Sequence, residues 1–368
     1  VSWEPDRLDD QRWLTDGDPS GMLRAVAASA AQVRISHRGA READLTRVTG
    51  EGRPRAIVVA GMGGSGIAGD ILDAVCGNGA PLPIVTVRSY QLPGWVGATD
   101  LVVAVSCSGK TEETLAVATE AARRGCRVLV LAAANSPLHA IARQTGASFV
   151  PVTTGGQPRA AVWALSVPLL VVAADLGVLQ VDDGVFEAVA KRLEEIAHRC
   201  RPVSESFINP GKTLAMELAE TVPMVWGSSR LSAVAAYRWA CQLNENGKYP
   251  AVWGEIPEVN HNQVVAFDGP LAQRDIFADE AGRSLRLFVL RDTEEHPQVA
   301  RRREVSVRMA EDRGVPVSQI VAEGAHPLER LATLIGLGDY ASTYLALGYG
   351  IDPTPVSAIT ELKARISQ

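Results

Sequence analysis

The stretch AIVVAGMGGSGIAGD, Ala56 to Asp70, constrains this chain more than any other. Its apolar start, residues 56–60, reads as a buried parallel strand. The strand breaks into Gly61, Gly63, Gly64, Ser65 and Gly66, and residues 67–75 then read as a helix. A strand that feeds a glycine-rich turn and a helix start can hold an anion. Glycine lets backbone N–H groups approach closely, and the helix N-terminus adds unpaired donors and partial positive charge.

The glycines at 61, 63 and 66 match GxGxxG, which raises the question of a dinucleotide. Such a site wants an acidic residue about 20 positions on, at the end of the second strand. Here that strand ends Val85-Thr86-Val87-Arg88, and Arg88 suits only a 2′-phosphate, so this reading is the weaker one. The turn carries no Walker A lysine, which argues against nucleotide triphosphate hydrolysis.

The whole composition narrows the field further. The chain has 368 residues, 46% hydrophobic and 21% charged, which is globular and long enough for two cores. A net charge of −6 argues against nucleic-acid binding through a broad basic face. No apolar run reaches the roughly 18–20 residues of a membrane span. The start, VSWEPDRLDDQRW, is too acidic and polar for a signal peptide. Cys76, Cys107, Cys126, Cys200 and Cys241 are scattered, with no CxxC pair, and read as reduced cytoplasmic thiols. The six histidines show no HxxxH pair, so the sequence proposes no metal site.

Apolar strands alternate with helices along the first half. Strands are expected at 56–60, 84–87, 101–106, 128–133 and 148–152, with helices at 67–75, 112–124 and 137–144. This pattern predicts a parallel sheet covered on both faces, with its ligand at the carboxyl ends of the strands. Ahead of it, Asp18-Pro19 followed by Met22, Val26, Ala30 and Val33 predicts one N-terminal helix. An alanine-rich buried helix is expected over 160–176 and an amphipathic linker helix from Val185 to Ile196. The second half starts near Asn209. A strand at 223–227, Ser228-Ser229 and a helix over 231–243 weakly echo the opening stretch. Strands at 285–290 and 319–323 and helices at 299–313 and 328–347 follow. The expected organisation is a segment 1–50, an α/β subdomain 51–180 that binds the anion, a linker 181–208, and a second subdomain 209–368 ending in a helix. The fold class is α/β, with a parallel sheet flanked by helices in each subdomain.

The end of the third strand identifies the anion. Ser106-Cys107-Ser108-Gly109-Lys110-Thr111 places three hydroxyls in a strand-to-helix turn around a glycine. Alone it reads equally as a Ser/Thr-rich loop with Thr111 as an N-cap. Beside a second glycine-serine turn it reads as a phosphate site, since hydroxyls and helix-start N–H groups wrap a phosphate without bulk positive charge.

GMGGSGIAGD followed by SCSGKTEET resembles a sugar isomerase (SIS) domain. From about residue 55 onward the chain is similar to the bifunctional phosphoglucose/phosphomannose isomerase family. The likeness is carried by QPRAA (157–161), AYRWACQLNENGKYPA (236–251), PEVNHNQVVAF (257–267), LGDYASTYLAL (337–347) and GIDPTPVSAITELK (350–363). The resemblance implies a metal-free, cofactor-free aldose–ketose isomerase with two SIS-type subdomains. It would interconvert glucose 6-phosphate and mannose 6-phosphate with fructose 6-phosphate through a cis-enediolate. Gly63, Gly64, Ser65, Ser106, Ser108 and Thr111 would bind the hexose 6-phosphate. Glu245 would be the base between C1 and C2, Arg159 would stabilise the enediolate, and His261 would open the ring with help from Lys363. The family implies a cytoplasmic homodimer whose active site lies at the subunit interface, with no nucleic-acid or membrane partner. A catalytically inactive sugar-phosphate-binding or regulatory SIS protein is the competing expectation.

General chemistry is consistent with these roles. Isomerisation needs a carboxylate in reach of C1 and C2, a fixed positive charge at the developing oxyanion, and a near-neutral titrating group for ring opening. The sequence departs from the family at Lys110, where asparagine is usual, and at Cys107, where an aromatic residue is common. Thr354 and Thr360 both stand near the place of the small threonine to which acceptance of mannose is attributed. Trp163, Trp226, Trp239 and Trp253 read as core, and Arg301-Arg302-Arg303 as a solvated helix face.

Overall fold

The computed structural model describes residues 2–154, 156–272 and 283–366. After a 3-10 turn at Pro5–Leu8 come four α-helices: α1 (Gln11–Gly17), α2 (Met22–Ala27), α3 (Ser29–Glu42) and α4 (Thr46–Thr49). The one N-terminal helix expected from Asp18-Pro19 is therefore two helices that start later. Gly21 takes a left-handed φ of 72°, which a right-handed helix cannot include. The Asp18 carboxylate still caps the helix from outside, accepting from the backbone N–H of Met22 at 2.7 Å and of Leu23 at 2.8 Å.

The first sheet follows as β1 (Ile57–Ala60), β2 (Ile84–Val87), β3 (Leu101–Ser106), β4 (Arg127–Ala132) and β5 (Ser148–Pro151). Its order is β2-β1-β3-β4-β5, and every pairing is parallel. β1 and β3 are buried along their whole length, as continuous apolar runs in a doubly covered sheet should be. Between them run α5 (Gly64–Cys76), α6 (Glu112–Arg123) and α7 (Pro137–Thr145). The bounds of α7 follow from local chemistry. Ser136 caps the His139 N–H, Pro137 opens the helix, and Gly146 closes it at φ 70°. α8 (Val162–Asp175) is buried from Val162 to Ala173, in keeping with an apolar residue on every face.

After α9 (Asp183–Arg199) and α10 (Pro210–Leu218) comes a second sheet of β6 (Thr221–Gly227), β7 (Val252–Glu255), β8 (Ser284–Arg291) and β9 (Val317–Val321). The order is β7-β6-β8-β9, again all parallel. The helices here are α11 (Arg230–Glu245), α12 (Pro297–Asp312), α13 (Pro327–Gly348) and α14 (Ser357–Ile366). The strand order repeats that of β2-β1-β3-β4, so the echo between the halves extends beyond turn residues to topology. By internal contacts, Ala27–Glu194 with Gly324–Ala332 forms one compact unit; Val1–Val26, Glu195–Glu323 and Thr333–Gln368 form another. No helix among the described residues is long and apolar enough to cross a membrane.

Two expectations about side chains need correction. Trp163, Trp226 and Trp239 are core, but Trp253 is 42% exposed. It stands on the short edge strand β7, which periodicity did not suggest, and its ring lies against Tyr237 at 4.9 Å. Arg303 is not solvated either. Its side chain is 5% exposed and its Nε donates to both Glu295 oxygens at 3.0 Å.

The packing of α5 on the first sheet depends on a missing side chain. A Cβ at Gly69 would lie 2.5 Å from Thr86 Oγ1 and 2.8 Å from Val59 Cβ. Gly69→Ala should therefore push α5 off β1 and β2 and cost about 1–3 kcal/mol by overpacking. Urea denaturation checks this, and adding Thr86→Ala should recover part of the loss by clearing the nearer contact.

Candidate active site

The first sheet brings the two predicted phosphate turns side by side. β1 and β3 are neighbours in register, Ile57 opposite Leu101 through Ala60 opposite Ala104, and β3 continues past the end of β1 to Ser106. At the end of β1 the chain passes through Gly63, the residue before the first turn of α5, and into Gly64 and Ser65. Ser65 is buried, while a Cβ at Gly63 or Gly64 would meet nothing within 4 Å. The turn is thus anchored at the serine and open at the glycines, at the positive end of a 13-residue helix.

The turn after β3 is built by its own hydroxyls. Ser106 is buried; its Oγ accepts from the Gly109 N–H at 3.0 Å and lies 2.9 Å from Thr111 Oγ1. Ser108 is exposed, and its Oγ accepts from the Lys110 N–H at 3.2 Å. Gly109 has φ 64°, and a Cβ there would fall 2.0 Å from Ser136 Oγ. Its carbonyl accepts from the Leu138 N–H at 3.1 Å, which fixes the turn against the start of α7. Thr111 occupies the N-cap position of α6, but its side chain makes no capping bond. Its hydroxyl is directed to Ser106 instead, so the reading of Thr111 as a simple helix cap is not what the turn shows. Lys110 is exposed. Burial pushes the Cys107 thiol upward, opposed by a hydrogen bond with Thr154.

Arg88, at the end of β2, borders the same turn. Its Nε would lie 2.9 Å from a Cβ at Gly66, and its guanidinium is paired with Asp70. The residue weighed above as an argument about a dinucleotide thus packs on the first turn of α5. Arg159 belongs to this unit too, half-buried in the short 3-10 turn Pro158–Ala160 between β5 and α8.

The other three predicted catalytic residues lie in the second unit. Glu245 is the last residue of α11 and is half-buried. That helix is fixed from below by a buried ion pair in which Arg238 Nε and Nη2 donate to Asp339 at 2.9 and 2.7 Å. Burial pushes the Asp339 carboxyl up, and Arg238 opposes that shift. Trp239 Nε1 donates to the Leu334 carbonyl at 2.7 Å, and the neighbouring Asn246 donates to Ser342 at 3.1 Å. His261 ends the 3-10 turn Glu258–His261 and is exposed. Its flanking asparagines are tied down, Asn260 to Ser306 at 2.7 Å and Asn262 to Glu258 at 3.0 Å. Lys363 is exposed on α14, a helix with no buried residue.

The second sheet has its own pair of turns at the equivalent strand ends, and these are filled. After β6, Ser228 Oγ donates to Glu295 at 2.9 Å and Ser229 Oγ donates to Asp292 at 2.8 Å. Both acids belong to the segment after β8, the counterpart of the 106–111 turn. Glu295 is also held by Arg303, and its side chain is 6% exposed. Carboxylates of the chain itself thus take the serine donors that a bound anion would need. Sequence reading missed this pairing because its partners are 63 and 67 positions apart. No group of three or more metal-ligating side chains occurs among the described residues.

Comparison with known proteins agrees with this architecture. The profile of the bacterial phospho-glucose isomerase C-terminal SIS domain matches residues 207–366. A bifunctional phosphoglucose/phosphomannose isomerase of Caldicellulosiruptor bescii is 33% identical over 312 residues, 85% of this chain and 89% of that protein. One of Aquifex aeolicus is 33% identical over 315 residues, covering 85% and 91%. Among solved structures, a hypothetical protein of Thermus thermophilus shares the fold, with TM-score 0.72 and 16% identity over 99% of this chain and 94% of that one. With two parallel sheets in the same strand order and relatives of this likeness along most of its length, the chain belongs to the bifunctional phosphoglucose/phosphomannose isomerase family.

Proposed function

We propose that this protein interconverts glucose 6-phosphate and mannose 6-phosphate with fructose 6-phosphate. The observation that carries the reading is the open hydroxyl turn at 106–111 beside the glycine turn at 61–65, in a chain of this family. Gly63, Gly64, Ser65, Ser106, Ser108 and Thr111 bind the phosphate, and the sugar extends from that handle. His261, assisted by Lys363, moves the proton that opens the ring. Glu245 then takes the C2 proton of the aldose, and Arg159 stabilises the oxyanion of the resulting cis-enediolate. Returning the proton to C1 gives the ketose. Glucose and mannose 6-phosphates differ only at C2 and share one enediolate, so one base serves both. Carbon oxidation at C2 balances reduction at C1, and the reaction therefore calls for no redox cofactor.

The reading includes a homodimer with the active site at the subunit interface. Its support is α14, the helix that carries Lys363, where Ile359, Leu362 and Ile366 are 42%, 58% and 71% exposed along one stripe. A second copy of the chain would cover such a stripe. We also place the reaction in the cytoplasm, supported by five cysteines that all remain free thiols.

A coupled assay of the purified protein with all three sugar phosphates tests the activity, and tight binding without turnover would instead leave a sugar-phosphate sensor. Glu245→Gln should lower kcat by about 10²–10⁴ while fructose 6-phosphate still binds by calorimetry; near-normal turnover would remove Glu245 from the mechanism. Gly109→Ala should act on the phosphate instead. Forcing a Cβ into Ser136 at a left-handed φ should open the turn and raise KM by about tenfold or more, a loss on the order of 1–3 kcal/mol.

A further inference from the structure

We infer that Lys248 is a positioning residue that ties the end of α11, which carries Glu245, to the segment that launches α14, which carries Lys363. The inference rests on the roles proposed above for those two residues.

Lys248 adopts φ 51°, a left-handed conformation that a helix C-terminus ordinarily assigns to glycine. The helix closes at Asn246, whose N–H donates to the Gln242 carbonyl at 2.8 Å, and beyond Lys248 the Tyr249 N–H reaches back to the Leu243 carbonyl at 3.0 Å. A lysine here is conformationally costly, and backbone geometry gives no reason for it. Its side chain supplies the reason. Nζ donates to the carbonyls of Asn246 at 3.2 Å, Asp352 at 3.0 Å and Pro353 at 3.0 Å. Three carbonyls match the three hydrogens of an ammonium group. One carbonyl adjoins Glu245 and the other two lie 104 and 105 positions further along the chain.

The far side of this clasp is where α14 takes its direction. Asp352 Oδ1 accepts from the Thr354 N–H at 2.9 Å, which closes the turn, and Pro353 is buried within it. α14 then begins at Ser357 and buries none of its residues. The turn that Lys248 holds is the point at which the chain attaches that helix to this unit. The clasp therefore sets where the ring-opening lysine stands relative to the carboxylate that moves the proton. Its loss should impair ring opening more than proton transfer.

An acyclic substrate separates the two steps. 5-Deoxyfructose 6-phosphate lacks the hydroxyl that closes the ring, so it needs Glu245 but no ring opening. Two variants are required: Lys248→Met keeps the stem without the charge, and Lys248→Gly removes the ammonium while suiting the left-handed backbone, so it folds without strain. Both should lose about tenfold or more in kcat on fructose 6-phosphate, with KM within about twofold because the phosphate turns are untouched. Both should keep turnover of the acyclic analogue within about threefold of wild type. Lys363→Met should show the same split, and Lys363→Met with Lys248→Gly should lose no more than Lys363→Met alone. Equal losses on both substrates, or none, would overturn the positioning role of Lys248. If Lys363→Met shows the split and the Lys248 variants do not, this inference fails while the proposed mechanism stands. If Lys363→Met shows no split, the ring-opening role of Lys363 fails and takes this inference with it.

Discussion

The arrangement depends on how closely α5 can lie on the ends of β1 and β2. Gly69 lets the helix touch Thr86 and Val59 directly. Because the helix is pressed down there, its first turn is held at the rim of the sheet, next to the hydroxyl turn that follows β3. The proposed phosphate site is thus a product of packing more than of charge. Its donors are hydroxyls and backbone N–H groups, and the nearby guanidinium of Arg88 is already paired with Asp70. A cradle of this kind suits a dianion because its dipoles are fixed before the ligand arrives.

The two sheets apply one topology to different ends. In the first, the strand-end turns are open at Gly63 and Gly64 and lined by serine and threonine. In the second, Asp292 and Glu295 take the serine hydroxyls and Arg303 neutralises Glu295. The second unit carries the side chains proposed for the chemistry: Glu245 on a helix end secured by the Arg238–Asp339 pair, His261 between two tethered asparagines, and Lys363 on an exposed helix.

Much of the fold could be read from residues alone. Buried parallel strands are unbroken apolar runs, and glycine, proline and serine mark their ends, so nearly every strand of the first sheet is expected within a residue of where it lies. Gly21 delays the N-terminal helix for a local reason, but several other misses share one cause, contacts distant in sequence. β7 is short and half exposed and acquires its identity from pairing with β6. Arg303 looks solvated until Glu295 is placed beside it. β9 lies two residues ahead of its expected start. Within the candidate site, the phosphate turns carry a local signal, whereas Arg159, Glu245, His261 and Lys363 carry almost none. A single glutamate ending a helix has no signature, and those assignments come from family resemblance. Lys248 went unnoticed because nothing local marks a lysine whose partners are about a hundred residues away.

The self-filled turns of the second sheet have a thermodynamic consequence. A carboxylate attached to the chain is present at a fixed effective concentration, whatever the solution contains. At this position the second unit therefore carries its own anion, and that contribution to its stability is independent of what the solution contains. On the proposed function, the first unit's turn receives a free phosphate ester and gains stability only in proportion to the logarithm of ligand concentration above the dissociation constant. Duplicated topology has in this way yielded one half that carries its anion as part of its own covalent structure and, on the proposed function, one whose anion comes and goes with the reaction.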